Sequence, residues 1–489
     1  MNAETRWNLH FVTDRFAWSE DPLLERLGLS PLRMDVGRPF LLSEGGTLHT
    51  PVNAFFASGR MRNLSAGTNR KYAFSLKTWL NFLQLRGKEW GMAREEDLFD
   101  FRFWRTTDLR NPGRVSGSTW QGDLAAVLAF HDWATERLCA ARLLPLAERG
   151  SWDGRARSRD PRAGSTRIRS TDVKWLTPGA FRLWRDVGIH GLTPGGSERT
   201  RWRPRMQGRD ACFVEGLYSS GLRIQELSSL VLPELPEAGD GRGFVTARLA
   251  GRCAKGGRGR KFWMGRSALE GIWDYVETER AASVRIAQAE GLYEELRERL
   301  VVKGTSSPGV MRVVREEGSS ARLRLEDFSP SDRTKLFRET ATGLEPLSLW
   351  LNERGLPRKK MAWYKTFALA NARVEKFGIQ RLVCHPHMLR HSFALRWFAV
   401  GRLIWERGAR ASDRSEDFRN QFGDTWSLVQ TMLGHGDVAT TKNIYLEPFL
   451  GLDVQFLLAH SAQDPEAGTA WEFVRDDPRV RFISPSEVR

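Results

Sequence analysis

Residues 150–172 read GSWDGRARSRDPRAGSTRIRSTD, a stretch rich in Arg, Gly, Ser and Pro with no hydrophobic period. Such a segment cannot bury enough apolar surface to join a core, so it reads as an interdomain linker. It divides the chain into two regions with different patterns. Before it, Tyr72, Leu76, Trp79, Leu80 and Leu83 fall on one helical face, with Thr68 as a plausible N-cap and Gly87 as a plausible stop. A short helix is expected over Glu95–Trp104 and a third apolar stripe at Trp120, Leu124, Val127 and Leu128. Residues 65–145 therefore predict a small all-helical domain whose aromatic stripe is core before it is a surface. Residues 1–55 are mixed and read as an N-terminal extension.

After the linker, Thr177-Pro178 is a good helix start, with proline at the first helical position. Phe213, Val214, Leu217 and Tyr218 share a face over 210–220, and Gly221 ends that helix. GFVTARLA (243–250) and RKFWMG (260–265) read as strands around the glycine-rich turn CAKGGRG, a β-hairpin signal. A long helix is expected over 267–290. Residues 295–345 show little period and read as an insertion. From 346 to 445 the pattern is mostly helical, broken by a polar stretch over 408–424.

At 489 residues the chain is too long for one ordinary core. With 75 Lys plus Arg against 59 Asp plus Glu, its formal charge is +16. Three short segments, 155–169, 198–209 and 251–261, carry +14 of that. Concentrated positive charge makes a polyanion the expected partner, with nucleic acid first, held mostly by phosphate contacts that weaken steeply with salt. No apolar run reaches eighteen residues and no secretory signal is visible, which predicts a cytoplasmic protein without a membrane span. The four cysteines are scattered, which fits a reducing compartment.

Four segments could carry chemistry. SSGLRIQELSSL places Arg223 directly after a glycine break, and CAKGGRGRKF puts Lys255 in the hairpin turn. CHPHMLRHSFALRW sets His387, Arg390 and His391 on one helical face, and MLGHGDVATTKNIYLEP sets His435 ten residues before Tyr445. Arginine forks match phosphate oxygens bidentately and keep their charge. A tyrosine hydroxyl can be a covalent nucleophile, and lysine or histidine can protonate a departing oxygen. The set is rich in cations and lacks a carboxylate cluster, so it suits phosphoryl transfer on a polyanion with no metal and no cofactor. Cys384, His385, His387 and His391 match no standard zinc spacing. Glu226, on the same helical face as Arg223, is expected to orient a basic neighbour or the backbone.

Taken together, GLRIQEL, AKGGRGRKF, HPHMLRHSFA and LGH followed by Tyr resemble the tyrosine recombinase (phage integrase) family over about residues 60–450. The resemblance implies a mainly α fold: an N-terminal SAM-like helical core-binding domain, then a mixed α+β catalytic domain with a small antiparallel sheet. The expected divisions are an extension (1–58), the core-binding domain (59–148), a basic linker (149–173), the catalytic domain (174–449) and a tail (450–489). It implies that Tyr445 attacks a scissile phosphate to form a 3′-phosphotyrosine and that Arg223 and Arg390 clamp the phosphate. It further implies that His435 adds a hydrogen bond, Lys255 protonates the 5′-oxygen and His387 assists proton transfer. The implied partner is double-stranded DNA, gripped in a C shape by a tetramer assembled on it from free monomers. A type IB topoisomerase, or a catalytically silent DNA-binding protein of the same fold, remains the alternative.

Overall fold

A computed structural model describes residues 6–13, 37–141, 143, 175–199, 202, 204–237, 243–307, 309–315, 318–379, 382–409 and 425–434. The basic linker, all but the first two residues of the polar stretch 408–424, His435, Tyr445 and the C-terminal tail lie outside the described residues. The chain forms two compact units, residues 1–169 and 170–489.

In the first unit, strands β1 (Trp7–Phe11) and β2 (Pro39–Ser43) pair antiparallel. Four main helices follow: α1 (Thr50–Ala57), α2 (Ala66–Leu85), α3 (Glu95–Thr106) and α4 (Gly117–Leu138). The cap of α2 is Ser65, three residues earlier than the sequence suggested. Its Oγ accepts from Thr68 N at 3.1 Å and pairs with the Thr68 hydroxyl at 2.8 Å. The stripe of α2 is core: Leu76, Trp79, Leu80 and Leu83 are buried against Phe101, Trp120 and Phe130. Leu41, Val52 and Phe55 enter the same core, so the described part of residues 1–58 packs as one body with the helices that follow. Asn81 fastens β1 by bonding both the N–H and the carbonyl of Trp7.

The second unit is helical at its centre. α5 (Pro178–Gly188), α6 (Gln207–Ser220), the short α7 (Ile224–Ser228), α8 (Arg266–Tyr275), α9 (Ala281–Ala289), α10 (Lys360–Lys376), α11 (Pro386–Ala409) and α12 (Thr425–Leu433) follow in order. A π-helical turn, Val276–Arg280, joins α8 to α9. Trp184, Phe213, Trp350 and Trp363 fill the core, with Phe213 and Trp363 stacked at 3.5 Å between ring centroids. β3 (Phe244–Leu249) and β4 (Arg260–Gly265) form the expected hairpin, from Phe244 opposite Gly265 to Leu249 opposite Arg260.

Residues 300–346 depart from expectation. They fold into a five-stranded sheet of β5 (Leu300–Ser307), β6 (Val310–Arg315), β7 (Ser320–Arg324), β8 (Leu336–Thr340) and β9 (Gly343–Pro346). The spatial order is β7-β6-β5-β8-β9, with β5 and β8 parallel and the other pairs antiparallel. Met311, Val313, Leu336 and Phe328 pack one face, while Phe337 turns the other way onto Tyr293.

Candidate active site

Gly221 closes α6 in the left-handed conformation, φ 63°. A Cβ there would also lie 2.4 Å from the Phe393 ring, so packing and conformation both demand glycine. The turn it makes delivers Arg223 as the N-cap of α7. Glu226, three residues on and 1% exposed, accepts from Arg223 N and Arg223 Nη1, both at 2.9 Å. The same carboxylate accepts from Arg260 Nη1 at 3.1 Å and Nη2 at 2.7 Å. Burial pushes the Glu226 carboxyl up, but the Arg260 bonds and charge, followed by those of Arg223, outweigh it and bring it down to about 2. Glu226 is thus a fixed anion that orients Arg223.

Arg390 lies in the second turn of α11 and is 3% exposed. Its Nη1 donates to Gly221 O at 2.5 Å and its Nη2 to Leu433 O at 2.7 Å. One guanidinium therefore ties the glycine turn before Arg223 to the end of α12. Gly434, next in the chain, has φ 66°, and a Cβ on it would fall 1.9 Å from Arg260 Cδ. The Leu-Gly of the LGH segment is seated on Arg390 and Arg260, immediately before His435.

His387 is half-buried on the turn of α11 that precedes Arg390. Burial lowers its pKa, and the positive charges of Arg390, Arg223 and Lys255 lower it further, so the ring is neutral at pH 7. His387 is thus within electrostatic reach of Arg390 on its own helix and of Arg223 and Lys255 from two other sequence segments. Lys255 is exposed at the tip of the hairpin turn, between buried Ala254 and two left-handed glycines, Gly256 and Gly257. His391 is partly buried, its ring 6.4 Å from that of His387, and desolvation lowers its pKa to about 4. Burial raises the Cys384 thiol well above its ordinary value. Among the described residues, no three His, Cys, Asp or Glu side chains group as a metal site.

The sequence did not point to Arg260. It opens β4, and only the hairpin register together with the placement of α7 carries it to Glu226, 34 residues away. Its one sequence signal was membership of the basic run 251–261.

Residues 59–137 match the model of the phage integrase N-terminal SAM-like domain. The chain is 24% identical over 384 residues to the tyrosine recombinase XerC of Roseiflexus sp. (strain RS-1), covering 78% of this chain and 83% of that protein. It is 27% identical over 253 residues to XerC of Pseudomonas entomophila (strain L48), covering 51% and 50%. Among solved structures, a post-cleavage complex of the XerH site-specific recombinase with palindromic difH substrate aligns at TM-score 0.44 and 16% identity, over 84% of each chain. No described helix is long and apolar enough to cross a membrane. Residues 59–137 thus match the SAM-like domain of phage integrases, and over most of its length the chain is similar to tyrosine recombinases of the XerC type.

Proposed function

We propose that the protein cuts and rejoins double-stranded DNA through a 3′-phosphotyrosine, without metal or ATP. The Tyr445 hydroxyl oxygen attacks the scissile phosphorus, and its proton passes to His387 or to water. The bond from phosphorus to the 5′-oxygen breaks, and that oxygen takes a proton from Lys255. Arg223 and Arg390 neutralise charge on the non-bridging oxygens, and His435 adds a hydrogen bond. A 5′-hydroxyl then attacks the phosphotyrosine and restores a phosphodiester, so the bond energy is conserved. What supports this reading is that Arg390 bonds both the Gly221 turn before Arg223 and Leu433 before the LGH histidine, with His387 kept neutral by burial and by the nearby charges of Arg390, Arg223 and Lys255. A neutral imidazole among arginines can accept a proton at pH 7, which a protonated one cannot. Four such sites are needed to exchange two duplexes, so we propose a tetramer assembled on DNA from monomers. The tail 450–489 would dock on a neighbouring protomer.

The test is a nicked suicide target from the ends of the element that encodes the protein. Wild type is expected to form a covalent protein–DNA adduct, and Tyr445→Phe none. Equal adduct yields from the two would rule the mechanism out. DNA relaxation without joining of two sites would instead indicate a topoisomerase.

A further inference from the structure

Segment 325–333, between β7 and β8, reaches from the five-stranded sheet towards the candidate site. Arg333 is 1% exposed and binds in two directions. Towards its own segment, Nε donates to Phe328 O at 3.3 Å and Nη2 to Leu325 O at 3.0 Å. Away from it, Nη1 donates to Ser229 O at 3.1 Å, and the fork clasps Glu234 at 2.6 and 3.0 Å. Ser229 is the C-cap of α7, the helix that Arg223 starts. The same segment also meets the base of the lysine turn. Arg252 Nε donates to Asp327 O at 3.3 Å, and the buried Cys253 thiol points at Phe328 O at 4.0 Å. The turn, the inserted segment and the end of α7 thus converge two residues from Lys255.

We propose that segment 325–333 is a strut that fixes the height of the Lys255 turn above the Arg223 helix, with Arg333 as its positioning residue. The physical reason is the exposure of Lys255 at a glycine-rich tip, where the turn by itself leaves the ammonium free to wander. A general acid must sit within hydrogen-bond reach of the oxygen it protonates, so its turn needs anchoring from below. Two carbonyls of the inserted segment and the Arg333 fork supply that anchor. This inference rests on the reading of Lys255 as the general acid.

The experiment compares the full-length Arg333→Met, Arg252→Ala and Lys255→Ala variants with wild type. Two suicide targets are used, one natural and one carrying sulfur in place of the bridging 5′-oxygen. A thiolate departs without protonation, so the sulfur target has no need of a general acid. Lys255→Ala is expected to lose about 100-fold or more on the oxygen target and to recover on the sulfur target. Arg333→Met is expected to follow the same pattern, and Arg252→Ala to follow it with a loss of about 10-fold. If Lys255→Ala is not recovered by sulfur, the general-acid reading fails and the strut fails with it. If Lys255→Ala recovers while folded Arg333→Met and Arg252→Ala lose equally on both targets, the strut alone is overturned. Should Arg333→Met prove unfolded by circular dichroism, the surface variant Arg252→Ala decides in the same way.

Discussion

The two units bury opposite charges. Among the described residues, the buried carboxylate, imidazole or guanidinium side chains of the first unit are Asp97, Asp108, Asp123, His49 and His131. In the second they are Arg209, Arg280, Arg333 and Arg390, with Glu226 as the buried anion. In the first unit each interior carboxylate is met by a cation reaching in from the surface, as Lys88 reaches Asp97 and Arg105 reaches Asp123. Long regular helices satisfy their own backbone there, so little interior polarity is required. The second unit contains short strands, turns and cap segments whose carbonyls find no ladder. Arginine has five donors in a rigid fork and can gather carbonyls from several segments at once. Arg280 does so with Pro346, Ser348 and Leu349, and Arg390 does so with Gly221 and Leu433. The same choice leaves positive potential within the unit that carries the candidate phosphate site.

The sharpest way to break this contrast is to remove the anion that two arginines share. Glu226→Ala is expected to cost about 3–5 kcal/mol, because Arg223 and Arg260 lose their common partner in a largely buried setting. Hydrogen exchange read peptide by peptide should show lost protection over 224–228 and 260–265, with 66–85 unchanged. Adduct formation should fall as well. Unchanged protection in the second unit would mean that the arginines do not carry it.

Acid tests the contrast from the other side. Trp79 Nε1 donates to His131 Nε2 at 3.1 Å, and Val52 N donates to His49 Nδ1 at 3.3 Å. Both rings therefore act as neutral acceptors, and burial lowers both to about 4. The unfolded chain, with ordinary histidines near 6.5, binds protons that the folded unit refuses. This stability is therefore present in full above 6.5 and is lost as pH falls towards 4. Going from pH 7 to pH 5 should cost about 2 kcal/mol for each ring, so the first unit is expected to lose about twice what His391 costs the second. The Glu226 contribution has the same sign but survives to lower pH, since its folded value is about 2. Denaturant unfolding at the two pH values, followed by exchange in each unit, checks the order of loss. His131→Gln should flatten the pH response of the first unit only.

A smaller effect is expected at the glycine that meets Arg260. Gly434→Ala places a side chain in left-handed backbone, at a cost of about 1–2 kcal/mol, and it also displaces Arg260 from Glu226. Adduct yield should drop more than stability does. Gly196→Ala, also left-handed but with open space around it, serves as the control for backbone strain alone.

How much of this was legible follows the range of the interactions. The Gly221 break, the hairpin strands and the Thr177 cap are local, and all three are found where the pattern placed them. The sheet at 300–346 was hidden because arginines and serines interrupt its strands, and β5 carries register shifts that break strict alternation. Turn signals were nonetheless present at Pro308-Gly309 and Glu317-Gly318. The pairing of Glu226 with Arg260 was beyond reach, since tertiary structure chooses that partner from 75 cationic side chains, and Arg333 likewise meets Glu234 only through the fold. The start of α2 shows the limit even for local signals. Ser65 and Thr68 are both good capping residues at the correct end, and the pattern alone does not rank them. Geometry does, because Ser65 has extended backbone and accepts the Thr68 N–H, while Thr68 is already helical. Ser65→Ala should therefore cost about 1 kcal/mol in the first unit, and Thr68→Ala a few tenths, about the loss of one exposed hydroxyl pair. Thr177→Ala, the matching cap of α5, should cost about the same in the second unit. Equal losses from Ser65→Ala and Thr68→Ala in thermal unfolding would place the helix start one turn later and restore the cap that the sequence favoured.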